Sequence, residues 1–444
     1  MPDVILQKEK IKMPRNTRET GGRDFAAGDI HSHFILIIFA LLYVVNYMDR
    51  QVLSVVQEAM KNDLGFSDTQ VGTIQTVFLM SIAFFALPTA FVVDRWSRKK
   101  SIGIMAVGWS LFTCLTGIGK TYLGVLMPRM FVGVGEAGFA SGGTAMITAA
   151  YNKKYHGKVM GIFNMAIPTG SALGVVLGGY ISVQSGSWRT PFIIFAIPGI
   201  ILGIASFFMK DYRTYSNSDI PGGKKNLMQS ARALFKIRSL RWLYIGYAMM
   251  QIMTFSFFVW GPSYIMRCYG CREDKAGMLM GIVGMMAIIG ALLGGVLSDK
   301  WQLKNQKARL LMPAICSSAA SLLLMTSYAL NVKGIGYISA VMFGIIAMMS
   351  IPALSAATQE VVPPDLKSLS WGMNVLLQYV LGGGWAPIAI GLISDSLGSG
   401  LAGLRIALVI TAAGGILAGV CFWVGAKSFP SDSARVKEMV IVSE

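Results

Sequence analysis

Residues 68–119 read DTQVGTIQTVFLMSIAFFALPTAFVVDRWSRKKSIGIMAVGWSLFTCLTGIG. Two apolar runs, roughly 68–93 and 101–119, flank a short connection carrying Asp94, Arg95, Arg98, Lys99 and Lys100. A transmembrane helix needs about 20 consecutive, mostly apolar residues, and each run has that length. Neither run alternates apolar with polar residues, as the strands of a membrane barrel must. The stretch therefore reads as a helical hairpin through a bilayer, with its charged turn on one side.

Working outward, ten further runs of the same kind appear. The twelve spans lie at roughly 33–60, 68–93, 101–119, 123–149, 158–182, 190–209, 242–266, 276–298, 310–330, 335–360, 368–394 and 403–426. A helix bonds its backbone groups within its own segment, as hydrocarbon demands. The expected fold class is all-α integral membrane, with twelve transmembrane helices in two six-helix repeats. Composition agrees. Of 444 residues, 54% are hydrophobic and 14% charged, against roughly 25% charged in soluble domains. Disordered, fibrous, disulfide-scaffold and single-domain soluble chains are excluded.

The net charge of +17 would point to nucleic acid in a soluble protein. With the N-terminus inside, 29 basic residues fall in inner connections and tails and 8 in outer ones, while Arg50 and Arg129 fall within spans. That asymmetry is the positive-inside signal of a cell-membrane protein with both termini cytoplasmic, so nucleic acid drops out as a partner. Residues 1–32 lack the features of a cleaved signal peptide and read as a cytoplasmic tail. A second polar stretch, 210–241, reads as a cytoplasmic central loop. It separates six-helix halves at 33–209 and 242–426, and 427–444 reads as a cytoplasmic C-terminal tail.

The halves repeat. Ala90-x3-Asp94-Arg95-x2-Arg98-Lys99-Lys100 in the first half is echoed by Gly295-x3-Asp299-Lys300 in the second, followed by Lys304, Lys307 and Arg309. Parallel repeats place a substrate site at their interface near the bilayer midplane. An acid at a helix end can accept from backbone N–H groups and pair with a basic neighbour. Asp94, Arg95, Arg98, Asp299 and Lys300 are thus the expected conformational latch; the plainer alternative is an orientation signal alone.

On these residues the chain resembles the major facilitator superfamily, although Ala90 and Ser97 stand where glycines are usual. Within it, the chain looks Spinster-like. That resemblance rests on Asn46-Tyr47-Met48-Asp49-Arg50, Gly72 to Phe78, Arg129-x3-Gly133-x-Gly135-Glu136-Ala137, Ala166 to Gly174, and Gly391-Leu392-Ile393-Ser394-Asp395. Organic-anion symporters share an Asp-Arg in the first span and a Gly-Glu in the fourth.

An ionisable side chain deep in a span costs at least about 2.5–3.5 kcal/mol and is a functional candidate by default. Asp49 and Arg50 lie in the first span, Arg129 and Glu136 in the fourth. At about 1.5 Å per residue they occupy one slab, from the midplane outward. Their formal charges cancel, so protonating Asp49 or Glu136 would leave one arginine free to balance an anion. The expected proton-coupling residues are Asp49 and Glu136, with Arg50 and Arg129 as substrate contacts. The Spinster-like resemblance implies similar roles. The alternative is a structural ion-pair network.

Spans of the second half carry no ionisable residue away from their ends. Tyr247, Gln251, Thr254 and Phe258 share a face of the seventh span, and Trp371, Asn374 and Gln378 a face of the eleventh. Gln251, Asn374 and Gln378 are the expected cavity residues there. Gly170, Gly174, Gly178 and Gly179 form a small-residue seam. Pro168, Pro262 and Pro387 mark expected bends.

Cys268 and Cys271 supply two ligands of the four a structural zinc needs, and no third is near. A disulfide between them is one reading and incidental cysteines the other. No phosphate loop and no nucleophile–base pair is present. No enzyme activity, cofactor or metal is expected. The sequence reads as a monomeric, proton-coupled symporter of a small organic anion, a carboxylate or sulfonate. The alternative is a carrier of lysophospholipid or sphingoid-type amphiphiles, which the Spinster-like resemblance implies.

Overall fold

The computed structural model describes residues 30–152, 155–211, 227–363 and 366–443. The first half comprises α1 (Ile30–Leu64), α2 (Asp68–Arg95), α3 (Arg98–Ile118), α4 (Tyr122–Glu136), α5 (Phe139–Ala150), α6 (His156–Ser185) and α7 (Thr190–Ser206). A short helix, α8 (Leu227–Lys236), leads into α9 (Arg238–Tyr269), α10 (Glu273–Gln302), α11 (Ala308–Ala329) and α12 (Ile335–Glu360). The chain closes with α13 (Lys367–Leu377), a π turn at Gln378–Gly383, α14 (Ala386–Ser396), α15 (Leu401–Ala412) and α16 (Gly414–Ser443).

Eleven stretches are long and apolar enough to cross a bilayer, and α7, with 17 residues, is the short twelfth. The fourth span is α4 plus α5, the eleventh runs from α13 through α14, and the twelfth joins α15 to α16. All twelve expected spans are therefore helical. Where a tail was expected from 427 onward, α16 continues to Ser443. Residues 1–29 of the expected N-terminal tail and 212–226 of the central loop lie outside the described residues.

Local chemistry sets the ends. Ser67 caps α2 in a reciprocal box with Gln70, Ser97 caps α3 through the Lys100 N–H, and Thr121 caps α4 through the Gly124 N–H. Gly186 and Gly270 end α6 and α9 with φ of +65° and +60°, a conformation that costs glycine no Cβ clash.

Packing repeats between the halves. In the first, α1 lies on α6, α2 on α4, and α3 on α7; in the second, α9 lies on the π turn, α10 on α12, and α11 on α16. Lipid gives helices no hydrophobic reason to associate, so close backbone approach does that work. A Cβ on Gly174 would sit 2.8 Å from the Met48 Cα, and one on Gly133 would sit 2.5 Å from the Phe78 carbonyl. The Gly170 seam thus carries α1, while Gly179 beside it meets the start of α10 at Glu273.

We call the face bearing the α2–α3 and α10–α11 connections the basic face. The halves meet toward the other, opposing face. There Gly277 of α10 packs on Val175 of α6, Gly72 of α2 on Pro387, and Gly391 of α14 on Asp68. The α6–α10 approach loosens at Gly284, whose Cβ would lie 3.6 Å from Ala172. Toward the basic face, an added Cβ at Gly161 or Gly157 of α6 would meet nothing within 4 Å. The bundle is closed at the opposing face and parted toward the basic one.

Candidate functional site

The first span carries Tyr43, Asn46, Tyr47, Asp49 and Arg50 on successive turns of α1, and the fourth brings Arg129 and Glu136 against them. Glu136 is the last residue of α4. Gly133 on the same helix lets α2 approach, and Gly135 lets α3 approach at Trp109. The carboxylate is thereby held where three helices converge.

The structure sorts the four charges into two unlike pairs. Arg50 donates from Nε to Glu136 Oε2 at 2.7 Å, and its guanidinium lies 4.7 Å from the centre of the Tyr47 ring. Its side chain keeps 15% of its surface exposed while that of Glu136 keeps none. Arg129 is wholly buried. Both its terminal nitrogens donate to the main-chain carbonyl of Asp49 at 3.2 Å, and its guanidinium stacks 4.6 Å from the Phe78 ring centre. The Asp49 carboxylate receives Thr113 Oγ1 at 3.2 Å, and its other oxygen has no protein partner.

Arg129 was expected beside Arg50 as a substrate contact, yet it is sealed between α1, α2 and α4 and committed to the backbone. Spacing puts Arg129 and Glu136 on one helical face, and packing buries both, with Arg129 against the Phe78 ring. Arg50 is the cation of the two that keeps part of its side chain exposed.

Aromatic side chains surround Arg50. Tyr43 lies 5.2 Å from Tyr47 and stacks 4.5 Å from Phe163, and Tyr379 of the π turn lies beside Arg50 and 5.5 Å from Phe255. The second half therefore touches the charged site through Tyr379, which sequence reasoning passed over in favour of its neighbour Gln378. Its signal was slight: an aromatic residue just before Gly382, Gly383 and Gly384. Thr113 carried no signal at all.

The other expected cavity residues are near the break in the eleventh span. Asn374 is fully buried with both amide atoms unpartnered, Gln378 is 8% exposed, and Gln251 is half-buried. The break arises because Gly382 adopts φ −120° and ψ −118°, packing on the Ala248 carbonyl, with Pro387 starting α14.

The expected latch residues lie at the two basic-face connections, α2–α3 and α10–α11. The side chains of Asp94 and Arg95 lie outside the described residues. Arg98 is buried, and Ser97 bonds Asp211. Asp299 pairs with Arg309 of α11 at 2.6 Å, and Arg309 reaches Glu360 of α12 at 2.9 Å; both contacts stay within the second half. Lys300 is exposed. Side chains tie the halves together at the opposing face. Arg267 of α9 holds Glu58 of α1 and Asp68 of α2, Lys61 also holds Asp68, and Gln57 bonds the Val259 carbonyl and Ser263. All five cysteines are free thiols. Among the described residues no cluster of three metal-ligating side chains occurs.

Twelve spans in two similarly packed halves, closed at one face around a buried charged core, define a polytopic membrane transporter. The chain belongs to the Major Facilitator Superfamily, whose family model matches residues 39–387, and within it the chain is Spinster-like. It is 27% identical over 387 residues to protein spinster homolog 1 of Xenopus tropicalis, covering 83% of this chain and 74% of the relative. It is 26% identical over 294 residues to a probable L-galactonate transporter of Escherichia coli, covering 64% of each. It is 25% identical over 374 residues to a sphingosine-1-phosphate transporter of Danio rerio, covering 80% of this chain and 74% of that one. Among solved structures, a bacterial homolog of the human lysosomal transporter Spinster, inward-facing and unoccupied, superimposes with a TM-score of 0.80 at 20% identity, covering 91% and 99% of the two chains.

Proposed function

We propose that the protein is a proton-coupled secondary transporter of a small organic anion, a carboxylate or sulfonate, working by alternating access in the cell membrane. The observation that carries this reading is the Arg50–Glu136 pair: one exposed cation held by one buried carboxylate. Protonating Glu136 removes its claim on Arg50, and an anion entering the cavity takes its place in a charge-assisted contact. Deprotonation restores the internal pair and expels the anion. Proton and anion travel together because each stabilises the state the other needs. Asp49 is the second proton site. Arg129 positions it by gripping its carbonyl, while Gln251, Asn374 and Gln378 complete the cavity wall.

Orientation follows the charge count, with both termini cytoplasmic, so the open basic face is inward. The two six-helix halves, 33–209 and 242–426, rock about the opposing-face contacts. The relative of Escherichia coli named for L-galactonate supports a carboxylate. A second reading, an anionic amphiphile, is favoured by the aromatic wall of Tyr43, Tyr47, Phe163, Phe255 and Tyr379 beside Arg50.

Purified protein in proteoliposomes, given an inside-alkaline pH gradient and a panel of sugar acids, alkyl sulfonates and lysophospholipids, tests both. Accumulation of a sugar acid or sulfonate that collapses with a protonophore is the expected result. Gradient-independent movement of a lysophospholipid alone would replace the first reading with the second.

A further inference from the structure

Six buried side chains in one region of the first half carry polar atoms with no protein partner. They are Asn46 Nδ2 and Oδ1, Asp49 Oδ1, Trp109 Nε1, Ser110 Oγ, Arg129 Nε and Glu136 Oε1. Unsatisfied buried polar atoms are uncommon in native proteins. Here they share one seam between α1, α3 and α4.

Asn46 precedes Asp49 by three residues on α1, and it lies beside Glu136. Trp109 and Ser110 stand one turn before Thr113, whose hydroxyl donates to Asp49. A Cβ on Gly135 would sit 3.0 Å from the Trp109 Cβ, so α3 packs on α4 one residue before Glu136. Ser110 lies at the junction of α3 with α7 and α1, against Gly199 and near Val45. Polar seams of this kind hold ordered water, each molecule making about three hydrogen bonds.

Asp49 is fully buried, whereas Arg50, the partner of Glu136, reaches the cavity. The groups facing Asp49 are Glu136 and Arg129 on α4 and Thr113 on α3, with Arg50 following it on α1. Asp49 and Glu136 are thus neighbouring buried carboxyls, and Glu136 is the one tied to the partly exposed Arg50.

We propose that Asn46, with Trp109 and Ser110, orients a file of buried water that passes protons between Glu136 and Asp49. The proposal rests on the proton coupling argued above. A proton leaves the Glu136 carboxyl, hops through hydrogen-bonded water, and forms an O–H bond at Asp49 Oδ1. Glu136 becomes a carboxylate again and recovers Arg50, and the total charge of the site is unchanged. Asn46 is a positioning residue: its amide fixes the water and takes no proton.

Infrared difference spectroscopy in lipid nanodiscs tests this without any transport substrate. Carboxylic C=O bands are assigned by their loss in Asp49→Asn and Glu136→Gln, and their shift is timed after a switch to D2O. In the parent protein both bands should exchange together. Asn46→Leu should slow the Asp49 band at least tenfold and leave the Glu136 band unchanged, and Asn46→Ser should restore it. If Asn46→Leu fails to fold, Trp109→Phe, which removes the indole N–H together with its five-membered ring, should slow the Asp49 band at least threefold. Unchanged exchange at Asp49, or no Asp49 band between about pH 5 and 9, overturns the relay. Because no substrate is present, that outcome is separate from failure of the transport reading.

Discussion

Arg267 of α9 grips Asp68 of α2 through both terminal nitrogens, at 2.9 and 2.7 Å, while its Nε and one terminal nitrogen hold Glu58 of α1 at 3.0 and 2.7 Å. One second-half side chain therefore ties two first-half helices together at the opposing face. The Asp68 side chain has no exposed surface. Removing one partner from a buried pair of this kind costs about 3–5 kcal/mol. Arg267→Met should accordingly shift the population toward opening at that face by at least tenfold. Spin labels at Asn62 and Lys333, both exposed at the opposing face, should report a new longer distance. An unchanged distance distribution would show that the grip does not hold the closed state.

Asp395 offers a graded companion. Its two oxygens accept the backbone N–H groups of Asp68 and Thr69 at 3.1 and 2.7 Å, so α14 caps the first turn of α2. Losing a cap of this type costs about 0.5–2 kcal/mol. Asp395→Ala should move the same label distances in the same direction, by less than Arg267→Met does.

On the proposed mechanism Glu136 sets the pH dependence of anion binding. If its protonated form releases Arg50, affinity should be highest at low pH and fall as the pH rises and Glu136 ionises. Glu136→Gln is permanently neutral, and its affinity measured by calorimetry should be flat with pH and equal to the low-pH parent value. Arg50→Gln should lose binding at every pH, by about 1.5–3 kcal/mol for a charge-assisted bond. A Glu136→Gln protein that kept the parent pH profile would place the proton elsewhere.

Gly174 and Gly161 stand on the same helix in opposite circumstances. A Cβ at Gly174 collides with Met48 at 2.8 Å, and one at Gly161 meets nothing within 4 Å. Gly174→Val should lower detergent-solubilised stability by about 1–3 kcal/mol or more. Gly161→Ala should leave the melting temperature within a degree or two, or raise it slightly, since a helical Gly costs roughly 1 kcal/mol relative to Ala. Equal effects at both positions would contradict the seam.

Cys271, in the turn between α9 and α10, has a thiol pushed up by burial and only partly drawn back by Lys275. A raised thiol stays protonated, and unreactive, over a wider range. Maleimide labelling should therefore be slow at neutral pH and still climb about tenfold per pH unit where an ordinary thiol, near 8.5, levels off.

The legible parts and the hidden ones divide by range. A span is a local property: about 20 apolar residues in a row must be helical in hydrocarbon whatever surrounds them. Every expected span is a helix for that reason, and the glycine seam and the four intramembrane charges were visible in the letters. Each charge had to be functional or paired, because an isolated one is too costly to keep.

Pairing is a long-range property. The letters place Asp49 beside Arg50 and put Arg129 on the face of Glu136, but they do not say that Arg50 crosses to Glu136 while Arg129 binds a carbonyl. That choice depends on Phe78 and Thr113 arriving from other helices. Tyr379 joins the site because Gly382 breaks its helix against Ala248, a contact between residues 134 positions apart. The opposing-face grip was equally hidden: Arg267, Glu58, Asp68 and Asp395 each look like ordinary interfacial charges until four helix ends converge. The sequence by itself determined the number, length and class of the spans and which charges enter the membrane, since hydrophobicity and backbone hydrogen bonding act residue by residue. Only the tertiary structure decided which cation faces the cavity and which face of the bundle is shut, since both depend on which helix ends and side chains meet across the bundle.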